Sequence, residues 1–243
     1  MTVGLESPLN NFLGKAQHNL SGPLPICIKL VDGLLLSLSE NLDDSQFPTS
    51  ARLFHLAFSS WRSGIILAQA GAGSQVPLCM RHVVETSLYS YLFSRSTEWE
   101  DIWWTRETNS ASKQRMRNGK QGPLKRSREL LKSENENLFR FVSNSESHFI
   151  DFGAHPNVFQ LVNATVVTDD DNAETHLTAF LGDDESRARS LISCLGIGFM
   201  LSEFFETIWP LRFDICNGAG IRAEAFGQGN LYINAIRFAE PKE

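Results

Sequence analysis

Between Ser186 and Ile208 the chain is apolar on nearly every side of a helical projection, with Pro210 just beyond as a stop. A helix without a wet face must be surrounded by other elements, so this segment predicts the central helix of a bundle. Its longest apolar stretch, Leu191 to Leu201, falls short of the roughly 20 residues that span a bilayer. No membrane partner is therefore expected. Gly196 and Gly198 would let a neighbouring backbone come close.

The preceding chain supplies the partners. Pro25 opens a periodic stretch through Ile26, Leu30, Leu34 and Leu38. Phe47-Pro48-Thr49-Ser50 is a break, followed by Leu53, Leu56, Trp61, Ile65 and Leu67, which predict a long helix to about Ala70. Gly71 to Ser74 ends it, and Pro77 begins a third helix reaching about Phe93. Ser96 or Thr97, with Glu98 and Glu100 behind, opens a fourth that carries Trp99, Trp103 and Trp104. After a break from Gly119 to Pro123, Leu124 to about Ile150 is helical again, interrupted near Ser133. Phe159–Thr168 and Thr175–Leu181 are β-branched or alternating around a turn at Asp169–Asn172, which reads as a β-hairpin at about 158–182.

The predicted fold is mainly α: an antiparallel helical bundle, residues 23–210, with the hairpin inserted before the last long helix. Residues 1–22 read as a flexible N-terminal arm. Residues 211–243 read as a Gly-rich extension packing on the bundle, strand-like from Leu231 to Phe238.

Composition narrows the function classes. With 243 residues, 42% apolar and 21% charged, disordered and fibrous classes drop out. The net charge of −6 offers no global attraction to polyanions. Cys27, Cys79, Cys194 and Cys216 form no C-x-x-C pair, and the start lacks a secretory signal, so reduced thiols and a cytoplasmic location are expected.

Arg81 and Glu85 stand one helical turn apart, on a stripe shared with Val84, Leu88 and Leu92. Charges entering an apolar interface need partners. They predict either a polar pocket at the bundle centre or a structural ion pair. His155, on the turn His155-Pro156-Asn157, is the candidate answering group, either catalytic or capping a helix. The candidate catalytic set is His155, Arg81 and Glu85, with His148, Asp151, Asn157 and Tyr89 as ligand contacts. His82-x-x-Glu85 and His148-x-x-Asp151 have metal-ligand spacing, but the Glu-x-x-His repeats of di-iron bundles are missing; no metal or cofactor is expected. Gly218-x-Gly220-x-x-Ala223 lacks the βαβ context of a dinucleotide loop.

Arg106 to Lys132 holds nine basic residues against two acidic ones. Arg115, Arg117, Lys120, Lys125, Arg126 and Arg128 form its candidate nucleic-acid patch, although no aromatic residues interleave it for base stacking. A solvated surface, or the complement of a partner subunit, is the competing reading. Trp99, Ile102, Trp103 and Arg106 make a stripe at helical spacing on which Arg106 can stack over Trp103. Such aromatic surfaces predict a homodimer.

Arg81-x-x-x-Glu85, His155-Pro156-Asn157, the hairpin and the apolar helix, together covering about residues 50–210, resemble a family of mainly helical bacterial proteins of unknown function, distantly similar to HEPN-type domains. That resemblance implies a helical binding or interaction module of stress or phage-defence systems. The alternative it carries is an RNA- or nucleotide-directed hydrolase, with His155 or His148 as base and Arg81 stabilising phosphate charge. The ribonuclease pattern of Arg followed by His after four to six residues is absent; Arg140 and His148 are separated by seven.

Overall fold

A computed structural model describes residues 6–119, 121–149, 165–170, 173–178, 181 and 184–239. It is mainly helical. In chain order the elements are α1 (Glu6–Ser21), α2 (Ile26–Glu40), α3 (Pro48–Ala70), α4 (Val76–Arg95), α5 (Thr97–Thr105), α6 (Ser110–Arg117), α7 (Pro123–Glu134), α8 (Glu136–Phe149), β1 (Thr165–Asp170), β2 (Ala173–Thr178), α9 (Asp184–Ile208), α10 (Pro210–Ile215) and α11 (Gly218–Ala239).

Local chemistry sets the boundaries. Pro48 and Pro123 sit in the first turns of α3 and α7, where a missing N–H costs nothing. Gly71 closes α3 at φ 95°, in the left-handed region that favours glycine. Ser96 caps α5 by accepting from the Trp99 amide at 3.4 Å, and Glu98 and Glu100 face the positive end of the helix dipole. Asn109 does the same for α6, accepting from Ala111 and Ser112.

α9 is the axis of the bundle. It packs against α2, α3, α4, α8 and α11, and buries Cys194, Leu201, Phe204 and Phe205 completely or nearly so. By length and mean hydropathy (1.5) it also meets the requirement for a membrane span, contrary to the sequence expectation. The neighbours surrounding it account for that apolarity, as they do for the core helix of many folded domains. Aromatic rings fill one end of the core: Phe54 lies 5.0 Å from Phe205, and Phe205 lies 4.9 Å from Trp209. Gly198 does not admit a backbone, as the sequence suggested, but two side chains; a Cβ there would stand 2.7 Å from Val31 and 2.9 Å from Trp61.

Both ends of the chain differ from the sequence reading. The expected arm contains α1, which packs on α3. Asn19 donates to the Ala70 carbonyl at 2.8 Å and Gln69 donates to the Asn19 carbonyl at 2.9 Å, so the polar residues are tethers, not solvent-facing chain. The expected Gly-rich extension is helical, and Leu231–Phe238 belongs to the end of α11 and not to a strand. Its glycines mark close packing: a Cβ on Gly218 would meet the Phe213 ring, and one on Gly229 would stand 3.0 Å from Leu195.

β1 and β2 pair antiparallel, from Thr165 opposite Thr178 to Asp170 opposite Ala173. The residues linking them, 171–172, and those before and after, 150–164 and 179–180, lie outside the described set.

Candidate functional site

Helix α4 decides the fate of the Arg81–Glu85 reading. Arg81 Nε donates to Glu85 Oε1 at 2.8 Å, and the two side chains retain 43% and 32% of their exposure. They do not enter the bundle, as the shared stripe had implied. Val84, Leu88 and Leu92 are fully buried. A helix advances 100° per residue, so the row Arg81, Glu85, Tyr89 runs beside the buried row and along its rim. The pair keeps its access to water and requires no answering imidazole.

The other half of the expected cluster cannot be joined to it. Asp151, His155 and Asn157 lie outside the described residues, as does the side chain of His148 at the end of α8. Among the described residues no three His, Cys, Asp or Glu side chains stand close enough to hold a metal ion.

What α4 does assemble is a rim shared with α5. Tyr89 is half-buried and its ring lies 5.8 Å from Phe93. Burial pushes the Tyr89 hydroxyl above the usual phenol range; the charge of Glu85 adds to this and Arg106 opposes it, so the three groups share one neighbourhood. The Arg106 guanidinium stacks 4.3 Å above Trp103 and donates to the Trp103 carbonyl at 3.2 Å. Trp103 meets Phe93 at 5.8 Å and Trp104 edge-on at 4.8 Å. Trp104 is 53% exposed, with its indole N–H donating to Thr49 Oγ1 at 3.1 Å. A ring this large is anchored at one edge while half its surface faces solvent.

Sequence reasoning missed a second polar contact, between α3 and α4. His82 Nδ1 lies 2.8 Å from Ser60 Oγ. Spacing could not reveal it, because the partners come from different helices. Ser60 Oγ also lies 2.9 Å from the Leu56 carbonyl, so that carbonyl competes with the imidazole for the single Ser60 proton. Burial pushes the thiols of Cys27, Cys79 and Cys194 above their usual range, which disfavours the reactive thiolate at those three positions.

The basic stretch is partly balanced in space, with five of its nine cations paired to carboxylates among the described residues. Arg115 pairs with Glu98 at 2.8 Å and lies 4.9 Å from the Trp99 ring. Lys125 and Arg126 share Glu129 at 3.7 and 3.5 Å, and Arg128 grips Glu146 with two N–H groups. Lys132 lies over Phe139, Arg117 is exposed at the end of α6, and Lys120 lies outside the described residues. Glu98 and Glu146 stand outside the 106–132 window, so a linear count overstates the positive field. The expected stacking of Arg106 on Trp103 is present, and Arg115 adds a contact with Trp99 that the linear order hid.

Comparison with known protein families, with curated proteins and with solved structures found no match.

Proposed function

We propose that this protein is an interaction module and that its contact surface is the α4–α5 rim around Trp104, with a second copy of the same chain as partner. The half-exposed Trp104, backed edge-on by Trp103, carries the reading. Large aromatic residues and arginine dominate the energetics of protein interfaces because they bury much area at modest entropic cost. Charge favours self-association. From Thr97 to Arg117 the chain holds Glu98, Glu100, Asp101 and Glu107 against Arg106, Lys113, Arg115 and Arg117. A surface with equal numbers of both signs is suited to a two-fold contact, in which each patch meets its own image.

Within this proposal the β1–β2 pair is an insertion in the bundle, between α8 and the long α9, a placement supported by their order and register. Four free cysteines fit a reducing, cytoplasmic setting. The mainly helical class fits the HEPN-like resemblance. The hydrolase alternative gains no comparable support, because the Arg81 guanidinium is bonded to Glu85.

Light scattering after size-exclusion chromatography tests the reading. The wild-type chain is expected to run as a dimer at micromolar concentration. Trp104→Ala should weaken it by about 2 kcal/mol, roughly thirtyfold in dissociation constant, with helicity retained. A wild-type monomer, or a dimer indifferent to Trp104→Ala, would overturn it.

A further inference from the structure

On the far side of the core, where Gly22-Pro23-Leu24-Pro25 crosses from α1 to α2, the first turns of α2 and α9 and the middle of α11 leave a groove of about 510 Å³. That volume is typical of small-molecule sites. Its apolar wall includes Leu24 and Leu191; Lys29, Arg187, Asp184 and Tyr232 also line it.

The wall is held in place before any ligand arrives. Asn19 and Gln69 tie the end of α1 to the end of α3, and Gln69 also donates to the Gly22 carbonyl at 3.3 Å. Pro23 and Pro25 fix the backbone between those ties and α2. Space at the bend is tight, since a Cβ on Gly22 would stand 3.3 Å from the Asn19 carbonyl oxygen and 3.9 Å from an Arg187 nitrogen. A groove shaped this way loses little entropy on binding.

Its charge is unusual for an acidic protein. Lys29 makes no ion pair among the described residues, the first turn of α2 contains no acidic residue, and Asp32, one turn on, is held by Arg62 at 2.7 Å. Arg187 forms an ion pair with Asp184 at 3.1 Å, but the Asp184 side chain is 90% exposed and its charge is screened by water. Burial pushes the Tyr232 hydroxyl upward while Arg187 opposes the shift, so at neutral pH it is a protonated donor close to that guanidinium. Two cations and a phenol, against one well-hydrated carboxylate, therefore line a concavity with apolar walls.

We infer that this groove binds a small amphiphilic anion. A carboxylate or phosphate head is received by Lys29, Arg187 and the Tyr232 hydroxyl, and a short apolar body lies along Leu24 and Leu191. Charge-assisted hydrogen bonds fix the head, and apolar contact supplies the remaining affinity. This inference does not depend on the α4–α5 surface.

Titration calorimetry of the full chain with sodium octanoate, octyl phosphate and 1-octanol tests it. Saturable one-to-one binding is expected for at least one of the two anions, and binding about tenfold weaker for the alcohol. The anion that binds tighter identifies the head. Lys29→Met should weaken the anions about tenfold while leaving the thermal unfolding curve in place, since Lys29 is exposed. Arg187→Met should do the same, and Lys29→Met alone decides the matter if that variant unfolds. Equal affinity for octanol and the anions, indifference to Lys29→Met, or no saturation up to millimolar concentration would overturn the inference.

Discussion

The indole N–H of Trp61 donates to the main-chain carbonyl of Cys194 at 2.7 Å, with both residues sealed from solvent. This bond joins the middle of α3 to the middle of α9. One turn further along α9, Gly198 leaves room for the same indole. Gly198→Ala should therefore destabilise the protein by about 1–3 kcal/mol, because crowding Trp61 and Val31 outweighs the gain in helix propensity. Gly33 makes the opposite case: it is exposed in α2, and a methyl group added there would meet nothing within 4 Å. Gly33→Ala should stabilise by roughly 0.5–1 kcal/mol. Denaturant midpoints of the two variants, moving in opposite directions, check both.

Arg81 and Glu85 form a half-exposed i,i+4 pair, so their coupling should be small. A double-mutant cycle with Arg81→Gln and Glu85→Gln is expected to give about 0.3–0.5 kcal/mol. A coupling several times larger would place the pair in a desolvated network after all.

Tyr91 presents a different balance. Its hydroxyl is buried beside Arg95 and Glu134 but has no well-aligned hydrogen bond. Removing an unsatisfied buried group relieves a desolvation penalty. Tyr91→Phe should be neutral or stabilising by up to about 1 kcal/mol, read from thermal unfolding at fixed pH. A loss of stability would mean that the hydroxyl is bonded in solution.

Glu203 provides a pH signature. Burial pushes its carboxyl above the usual range; Arg222 opposes this and Glu206 reinforces it. A carboxyl raised on folding takes up a proton more readily in the native state. Its contribution is therefore fully present below the unfolded value, about 4.3, and is lost as pH rises through the folded value. Glu203→Gln should raise the unfolding temperature at pH 7, and the difference should shrink toward pH 4. A constant difference across that range would remove Glu203 as its cause.

How legible all this was depends on the distance over which each signal acts. The Ser96 cap with Glu98 and Glu100, and the all-round apolarity of α9, are local, and the sequence carries them openly. The position of Arg81 was misjudged because i+3 and i+4 neighbours diverge by 100°, enough to separate a rim from a core. The last helix was obscured by its glycines, though Ile221, Ala225, Gly229 and Tyr232 keep helical spacing, and Ala225 is fully buried. Ser60 with His82, and Arg128 with Glu146, join separate helices, so no local pattern announces them. The groove at Lys29 and Arg187 belongs to that last kind, assembled from segments about 160 residues apart.

The packing of α11 against α2 has a bearing on biosynthesis. During translation α2 leaves the ribosome well before α11, which emerges nearly 200 positions later. Until then the part of its apolar flank that α11 covers stays open, and the nascent chain presents a sticky seam to whatever is nearby. Closing that seam requires one of the longest loops the chain contains, a slow step on entropic grounds. Chaperone attendance during synthesis, and abrupt aggregation of chains that stop short of Gly218, follow from that order of events.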